Sequence, residues 1–379
     1  MNSVEARWET LKLKMVIWAE FIALNRSDLF MVLTYSKEQI LEKIDSVVTR
    51  TLGMDLIWDW PCGVAYYGIS RAYEATKDPE YLEGLKCAVD MRIEAGLPEN
   101  WTVNTCSMGH CLLTLYQHTN DEKYLDLIKS KLDYLQNKAE RFGDNVLQHT
   151  VSSSNDFPEQ AWADTLFMAA YFMLRVGVFF DDKKLIDDAL NQYYYHVEFL
   201  QDKASGLWYH AYNNIEKGHM SGFFWGRANA WAAYTMSRVR IVLPEPYLYP
   251  PYMHVDCSLR DQLSALKSLQ RETGLWGTIL DDAESYEEVS ASAGIGAAMI
   301  VNKNPLHTVY AELALNGVLN NISEDGRVLN VSGGTAVMRD RDGYMNVPKV
   351  WTQGWGQGLA LAQLTAVLDN SSGEGDKAR

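Results

Sequence analysis

A segment of the sequence repeats after 43 residues, and this repeat limits the choice of fold more than any other feature does. The two copies are TKDPEYL at 76–82 and TNDEKYL at 119–125. In the first copy Asp78 is a good helix N-cap and Pro79 suits the first helical position, while Asp121 can cap the second copy. Helical units that recur roughly every 40–60 residues are typical of stacked or closed arrays of helical hairpins.

Apolar segments rich in small and aromatic residues alternate with amphipathic ones along the chain. The apolar segments lie at 62–74, 105–118, 162–177, 225–239, 290–301 and 355–368, and amphipathic segments such as 181–200 and 260–272 lie between them. Segments that are apolar on most faces are expected to form helices buried on both sides. Roughly six hairpins fit, and no convincing run of alternating strands separates them. The sequence predicts an all-α fold, a toroid whose inner helices bring their ends to a central cleft.

We expect residues 31–369 to form a single domain. Residues 1–30 are interpreted as an N-terminal appendage or a mis-assigned start, with Met31 as the alternative start. The apolar run at 15–24 loosely resembles a signal peptide, but the glutamates around it are wrong for one, and it is far short of the ~20 residues of a spanning helix. The acidic, Ser/Gly-rich tail at 370–379 is expected to be flexible.

Charge and cysteine content narrow the function. Lys and Arg number 34 against 49 Asp and Glu, a net charge of −15, which repels nucleic acid and anionic membranes and favours a small or short substrate. Five cysteines without paired CxxC spacing indicate neither a disulfide framework nor a zinc site, so we expect a reducing, cytoplasmic location. The motifs GxxxxGK[ST], HExxH and GxSxG are absent from the sequence, and we expect no cofactor and no metal.

Asp164 is a carboxylate in an apolar segment, AWADTLFMAA at 161–170. Because it stands near the predicted helix start, it can simply cap or stabilise that helix. In the other interpretation the apolar neighbours Trp162, Leu166 and Phe167 raise its pKa, and it becomes a proton donor near neutral pH. The residues alone leave both interpretations open.

Arg227 lies between Trp225 and Trp231 in FWGRANAW at 224–231. A buried arginine is costly unless it is paired, so a structural salt bridge is one interpretation. The other is recognition of a substrate carboxylate, with the indoles offering flat faces to a sugar.

His210 follows a turn that should open toward the cleft, and Asn104 stands near a helix start. Each of them is either a structural residue or part of a site.

Six segments together resemble the unsaturated rhamnogalacturonyl hydrolases of glycoside hydrolase family 105, which are related to the unsaturated glucuronyl hydrolases of family 88. The resemblance runs in order from about residue 37 to 368, and the WADTLFMA and WGRANAW segments are its most specific parts. The segments are IWDWPCGVAYYGI at 57–69, FPEQAWADTLFMAAYFMLR at 157–175, SGLWYHAYNN at 205–214, FFWGRANAWAA at 223–233, TGLWGTILDDAESYEEVSASAG at 273–294 and QGWGQGLAL at 353–361.

The resemblance implies an (α/α)6 barrel that acts on short oligosaccharides with a 4,5-unsaturated uronic acid at the non-reducing end. It makes Asp164 the general acid/base, which protonates C4 so that water adds across the double bond. It also implies a set of substrate-binding residues, which are Trp60, Asn104, His210, Trp225, Arg227 and Trp231. Many relatives have an aspartate where this sequence has Asn104, which puts a charge-based role there in doubt.

The sequence leaves three other functions open. The same chemistry on a glycosaminoglycan or ulvan fragment differs only in contacts to the leaving sugar, which the sequence does not show. A sugar epimerase on a similar toroid would need a pair of catalytic histidines, and the eight histidines offer no clear pair. A non-catalytic sugar-binding protein would tolerate the loss of Asp164. We expect a monomer or a weak homodimer.

Overall fold

Alternating helices build the described part of the chain, which in this computed structural model comprises residues 35–98, 101–153 and 157–371. In chain order they are α1 (Lys37–Leu52), α2 (Trp60–Thr76), α3 (Pro79–Glu94), α4 (Gly109–Thr119), α5 (Glu122–Asp133), α6 (Tyr171–Phe179), α7 (Lys183–Leu200), α8 (Gly226–Val242), α9 (Pro250–Lys267), α10 (Val289–Asn302), α11 (Thr308–Leu319), α12 (Arg341–Met345) and α13 (Gly354–Ser371). The predicted appendage at 1–30 and residues 372–379 of the predicted tail lie outside the described residues.

Burial separates these helices, apart from the short α12, into two rings. The inner helices α2, α4, α6, α8, α10 and α13 consist largely of buried residues, and in α10 every residue from Val289 to Val301 is buried. The outer helices α1, α3, α5, α7, α9 and α11 bury one side only, as α1 does with Ile40, Ile44 and Val47. Six inner and six outer helices confirm the predicted all-α toroid of helical hairpins. None of the described helices has the length and apolar character that crossing a membrane requires.

Two glycines close the inner ring between its first and last helices. A Cβ atom on Gly68 of α2 would lie 2.6 Å from the Cα atom of Gly358 in α13, a separation that real Cβ atoms do not show. The two backbones therefore touch at a point where neither helix carries a side chain. This close contact brings the N-terminal ends of α2 and α13 side by side at the mouth of the barrel.

Helix starts follow the predicted capping chemistry. Asp78 accepts a hydrogen bond from Glu80 N at the start of α3, and Asp121 accepts one from Lys123 N at the start of α5. Pro79 occupies the first position of α3. Both predicted N-caps are confirmed, since capping depends on residues that are neighbours in the sequence.

Within the described ranges, five short strands lie in the connections between helices, and the sequence did not predict them. They are β1 (Arg141–Phe142), β2 (Val146–Leu147), β3 (Gln160–Trp162), β4 (Ala211–Asn213) and β5 (Gly218–His219). The strands β1 and β2 form an antiparallel pair, and a second antiparallel sheet has the order β3-β4-β5 with Trp162 opposite Ala211. This second sheet ends at the mouth of the barrel, where it positions the candidate site.

Candidate active site

The N-terminal ends of the inner helices surround a cavity of about 540 Å³. Such a volume is within the range of ~300–1,000 Å³ that is usual for small-ligand sites. Predicted site residues in its wall are Trp60, Asn104, Asp164, Trp225 and Arg227. The remaining wall residues are Ile57, Asp59, His149, Val151, Ser152, Ser153, Phe157, Trp162, Gly334, Thr335 and Ala336. The structure therefore brings together side chains from five different connections.

A second groove, of about 640 Å³, lies on the outside between α7 and α9. Its wall includes Glu198, Asp202, His254 and Asp261, and none of the predicted site residues. We place the candidate site in the barrel cavity, because that cavity combines aromatic walls with convergent buried polar groups. In the described residues no group of three or more His, Cys, Asp or Glu side chains is arranged to hold a metal ion.

Pairing of β3 with β4 places Asp164 next to His210. The backbone N–H of Ala163 donates to the carbonyl oxygen of His210 at 3.0 Å, which continues the strand pairing up to the residue before Asp164. His210 Nε2 consequently lies 3.5 Å from Asp164 Oδ2. Both atoms are buried, and neither has a well-formed hydrogen bond within the described structure. His210 is completely buried behind Asp164, in contrast to its prediction as a substrate contact.

The ionisation of Asp164 differs from the sequence-based expectation. Burial alone would raise the pKa of Asp164, but the nearby imidazole of His210 and the electrostatic effects of His149 and Arg227 outweigh burial and hold the pKa below its ordinary value. The expectation that apolar neighbours keep this carboxyl group protonated in the free protein is therefore wrong. At neutral pH, Asp164 is therefore an ionised carboxylate in the free protein, and it must gain a proton before it can act as an acid.

Hydrogen bonds and an ion pair hold the Arg227 side chain in the wall of the cavity. One guanidinium nitrogen, Nη1, donates to Ser332 Oγ at 2.6 Å, and the other, Nη2, donates to Gly333 O at 2.9 Å and Thr335 Oγ1 at 3.0 Å. Glu288, also fully buried, lies 3.6 Å from Nη1 and forms an ion pair with it. The salt bridge that was one interpretation of the sequence is present, and Arg227 fixes the loop that carries Gly334, Thr335 and Ala336 into the cavity wall.

Asn104 begins a short 3-10 helix, Asn104–Met108, which leads into α4. Val103 occupies the N-cap position of this helix and makes no side-chain cap, so helix capping does not explain Asn104. The Oδ1 atom of Asn104 is buried in the cavity wall and has no hydrogen-bond donor among the described residues. A buried acceptor without a donor is costly, and a bound hydroxyl group would satisfy it.

Aromatic rings form two sides of the cavity. Trp60 stacks on Trp355 with ring centroids 4.3 Å apart, and Trp225 lies against the guanidinium of Arg227 at 4.5 Å. Trp231 belongs to a different layer. It is completely buried against Phe167 and does not reach the cavity, in contrast to its prediction as a substrate contact, because it lies more than one helical turn below Trp225.

His149 and Trp162, which were not predicted as site residues, are an aromatic pair among the remaining wall residues. His149 stacks on Trp162 with ring centroids 4.5 Å apart and an interplanar angle of 11°, and its Nδ1 atom lies 3.0 Å from Thr165 Oγ1. Burial lowers the pKa of His149 to about 4, so that its ring is neutral at physiological pH. Trp162 stands two residues before Asp164 and was detectable from that proximity, whereas His149 lies in a loop without a motif.

Comparison with known proteins gives a consistent result. The family model Glycosyl Hydrolase Family 88 matches residues 33–370. The chain is 49% identical over 337 residues to the unsaturated rhamnogalacturonyl hydrolase YesR of Bacillus subtilis, which covers 89% of this chain and 97% of that protein. Among solved structures, a possible member of the GH105 family from Salmonella enterica has a TM-score of 0.84 at 26% identity, covering 89% of this chain and 96% of that one. A family 105 glycoside hydrolase from C. acetobutylicum has a TM-score of 0.76 at 25% identity, covering 86% and 98%.

Proposed function

The chain belongs to Glycosyl Hydrolase Family 88 and is a glycoside hydrolase, and we propose that it removes a 4,5-unsaturated uronic acid from the non-reducing end of short oligosaccharides. The substrate that we propose is the unsaturated rhamnogalacturonan disaccharide, whose hydrolysis releases rhamnose. The observation that carries this proposal is the placement of Asp164 in a sugar-sized cavity, between an imidazole and aromatic walls. The similarity to YesR over nearly the full length of that protein supports the choice of substrate.

Asp164 is proposed to act as both acid and base. In the first step its carboxyl group gives a proton to C4 of the unsaturated sugar, and positive charge develops at C5 and the ring oxygen. In the second step the resulting carboxylate takes a proton from a water molecule, whose oxygen bonds to C5. The hemiketal then opens, and the bond to the neighbouring sugar breaks. One water molecule is consumed, and Asp164 ends in its starting protonated state.

Substrate charge explains how an ionised Asp164 becomes an acid. Arg227 is the only cationic side chain among the described residues of the cavity wall, and Glu288 already pairs with it. The carboxylates of Asp59 and Asp164 line the same cavity. A uronate that enters brings a further negative charge and displaces water, and both effects raise the pKa of Asp164. We propose that the substrate binds together with a proton, which Asp164 then delivers.

The cavity wall offers aromatic rings to the faces of a sugar and a hydrogen-bond acceptor to its hydroxyl groups. The proposed contacts of the ring are Trp60 and Trp162, which line the cavity from two different connections. Asn104 Oδ1 is proposed to accept a hydrogen bond from a sugar hydroxyl, since it has no other donor among the described residues. Arg227 is proposed to act through the loop that it fixes and through its positive charge.

We also propose that the enzyme works in the cytoplasm on imported fragments. All five cysteines are free thiols, and Cys62, Cys106 and Cys111 among them are buried. Free thiols in a structure of this size are usual for proteins of reducing compartments.

The direct test follows the ultraviolet absorbance of the conjugated double bond during incubation with the purified protein. We expect the absorbance of the unsaturated rhamnogalacturonan disaccharide to disappear and rhamnose to appear in equal amount. Unsaturated disaccharides from glycosaminoglycans and from ulvan are the comparison substrates, with kcat/KM expected at least roughly tenfold lower. A persistent absorbance with all three would reject the proposed function, and a preference for either comparison substrate would reject the proposed leaving sugar.

Proton uptake on binding is a separate prediction. Since the pKa of Asp164 is depressed in the free protein and raised by a bound uronate, binding between those two pKa values takes up a proton. Calorimetric titration with the saturated galacturonosyl-rhamnose disaccharide, in buffers of different ionisation enthalpy, measures this uptake. We expect uptake at pH 6 that disappears in Asp164→Asn. Proton release, or no exchange despite binding, would contradict the proposed charge coupling.

A further inference from the structure

Tyr344 makes a buried hydrogen bond to the histidine behind Asp164. Its hydroxyl oxygen lies 2.9 Å from His210 Nδ1, and both side chains are completely buried. Tyr344 belongs to the short helix α12, which Tyr286 supports through a hydroxyl that donates to Tyr344 O at 3.3 Å. The three residues Tyr344, His210 and Asp164 therefore form a line that ends in the cavity.

The direction of the hydrogen bond between Tyr344 and His210 follows from the group that faces the other ring nitrogen of His210. Burial raises the pKa of Tyr344 to about 12, so the phenol keeps its proton. His210 Nε2 lies 3.5 Å from Asp164 Oδ2, and a carboxylate can only accept, so the imidazole proton is favoured on Nε2 and Nδ1 accepts from the phenol. Burial lowers the pKa of His210, although Asp164 opposes this, and the imidazole carries a single proton at neutral pH.

We propose that Tyr344 is a positioning residue that holds His210 in the tautomer with its proton on Nε2, directed at Oδ2 of Asp164. If Nδ1 accepts from Tyr344, the single imidazole proton must reside on Nε2. Nε2 lies 3.5 Å from Asp164 Oδ2, a distance that a small shift on substrate binding would shorten to a hydrogen bond.

This arrangement assigns different tasks to the two oxygens of Asp164. Oδ2 is buried and faces the N–H of His210, so the proton that moves to the sugar must reside on Oδ1. The second part of the inference, the effect on catalysis, rests on the proposed function, whereas the tautomer does not. His149 and Arg227 are the other titratable or charged groups that act on Asp164, and neither contacts His210 through a hydrogen bond in the described structure.

Loss of the phenol weakens the preference for the tautomer with hydrogen on Nε2. In Tyr344→Phe, His210 Nδ1 no longer accepts a hydrogen bond from the phenol. The imidazole tautomer with hydrogen on Nδ1 therefore becomes accessible. The lone pair of Nε2 would then face Asp164 Oδ2 and disfavour its ionised form. The pKa of Asp164 therefore rises in this variant, while the shape of the site is kept because only one oxygen atom is removed.

The first experiment observes the tautomer directly. Nitrogen-15 NMR of the full-length protein, labelled at its histidines, distinguishes hydrogen on Nδ1 from hydrogen on Nε2, and His210→Gln identifies the signal of His210. We expect hydrogen on Nε2 in the wild type and in Tyr286→Phe, and a shift toward Nδ1 in Tyr344→Phe. Hydrogen on Nδ1 in the wild type would overturn the inference, whatever the enzyme is found to hydrolyse.

The second experiment measures the consequence for catalysis. We expect Tyr344→Phe to lower kcat about tenfold with little change in KM, and to move the alkaline limb of the kcat profile to higher pH, since protonated Asp164 persists longer. The control Tyr286→Phe removes a hydroxyl that donates to the backbone of the same helix at Tyr344 O, without touching His210. Equal effects of both variants, or an unmoved alkaline limb, would show that Tyr344 has only a structural role and would overturn the inference.

Discussion

Replacing Asp164 with asparagine is expected to lower kcat on the unsaturated rhamnogalacturonan disaccharide by about 10²–10⁴-fold. The amide has nearly the same shape as the carboxyl group, but it can neither give a proton to C4 nor take one from water. Asparagine also keeps an oxygen that can accept from His210 Nε2, so the surrounding structure is expected to persist. The initial rate of absorbance loss measures the effect, and thermal unfolding shows whether the variant is folded.

Asp59 supplies the matched control for this experiment. It is a second carboxylate in the wall of the same cavity, but its Oδ1 accepts from Trp60 N at 2.7 Å and thereby caps α2. Asp59→Asn retains an acceptor at the cap, and we expect its rate to stay within a few-fold of the wild type. A folded Asp164→Asn variant that retains the wild-type rate, or an equal loss in Asp59→Asn, would remove the special role of Asp164.

The misjudged ionisation of Asp164 shows the limit of reasoning from neighbours in the sequence. The residues next to it in the chain, Trp162 and Leu166, are apolar and predict a raised pKa. The groups that lower its pKa are His210 and Arg227, which lie 46 and 63 residues further along the chain. Only the pairing of β3 with β4 shows that His210 meets Asp164, and strands of three residues are too short to produce a recognisable alternation.

Helix identity was more predictable than helix bounds. The N-caps Asp78 and Asp121 were found because capping is local, and the inner helices were found because they are apolar on most faces. The outer helix α9 was expected at 260–272 but runs from Pro250 to Lys267. Proline is tolerated in the first turn of a helix, where its missing N–H has no partner to lose, so α9 begins ten residues earlier than its amphipathic pattern indicates.

The site illustrates the same division between local and long-range information. Trp60, Trp225 and Arg227 could be named from their segments, and all three line the cavity. The sequence could not show which atoms of Arg227 are already occupied, because its partners Ser332 and Gly333 are more than 100 residues away and belong to no motif. The hydrogen bonds of Arg227 favour the structural interpretation of the two that the sequence left open.

Removal of the Arg227 guanidinium is expected to destabilise the whole protein. In Arg227→Met, Glu288 keeps its buried charge without a cationic partner, and Ser332 and Gly333 lose their donor. Breaking a buried ion pair by removing one partner costs about 3–5 kcal/mol. Urea unfolding of the wild type and the variant measures this loss, and we expect the KM of the variant to rise because the loop at 332–335 loses its support.

The variant Arg227→Lys separates structural support from direct substrate binding. Lysine keeps the positive charge for Glu288 but lacks the planar fork that reaches Ser332 and Gly333 together. If Arg227 holds the loop, Arg227→Lys lowers the free energy of unfolding measurably and raises KM in parallel. If instead the guanidinium grips the uronate carboxylate, stability stays near that of the wild type while KM rises steeply. Since the guanidinium is almost completely buried and both of its terminal nitrogens already donate hydrogen bonds, we expect the first result.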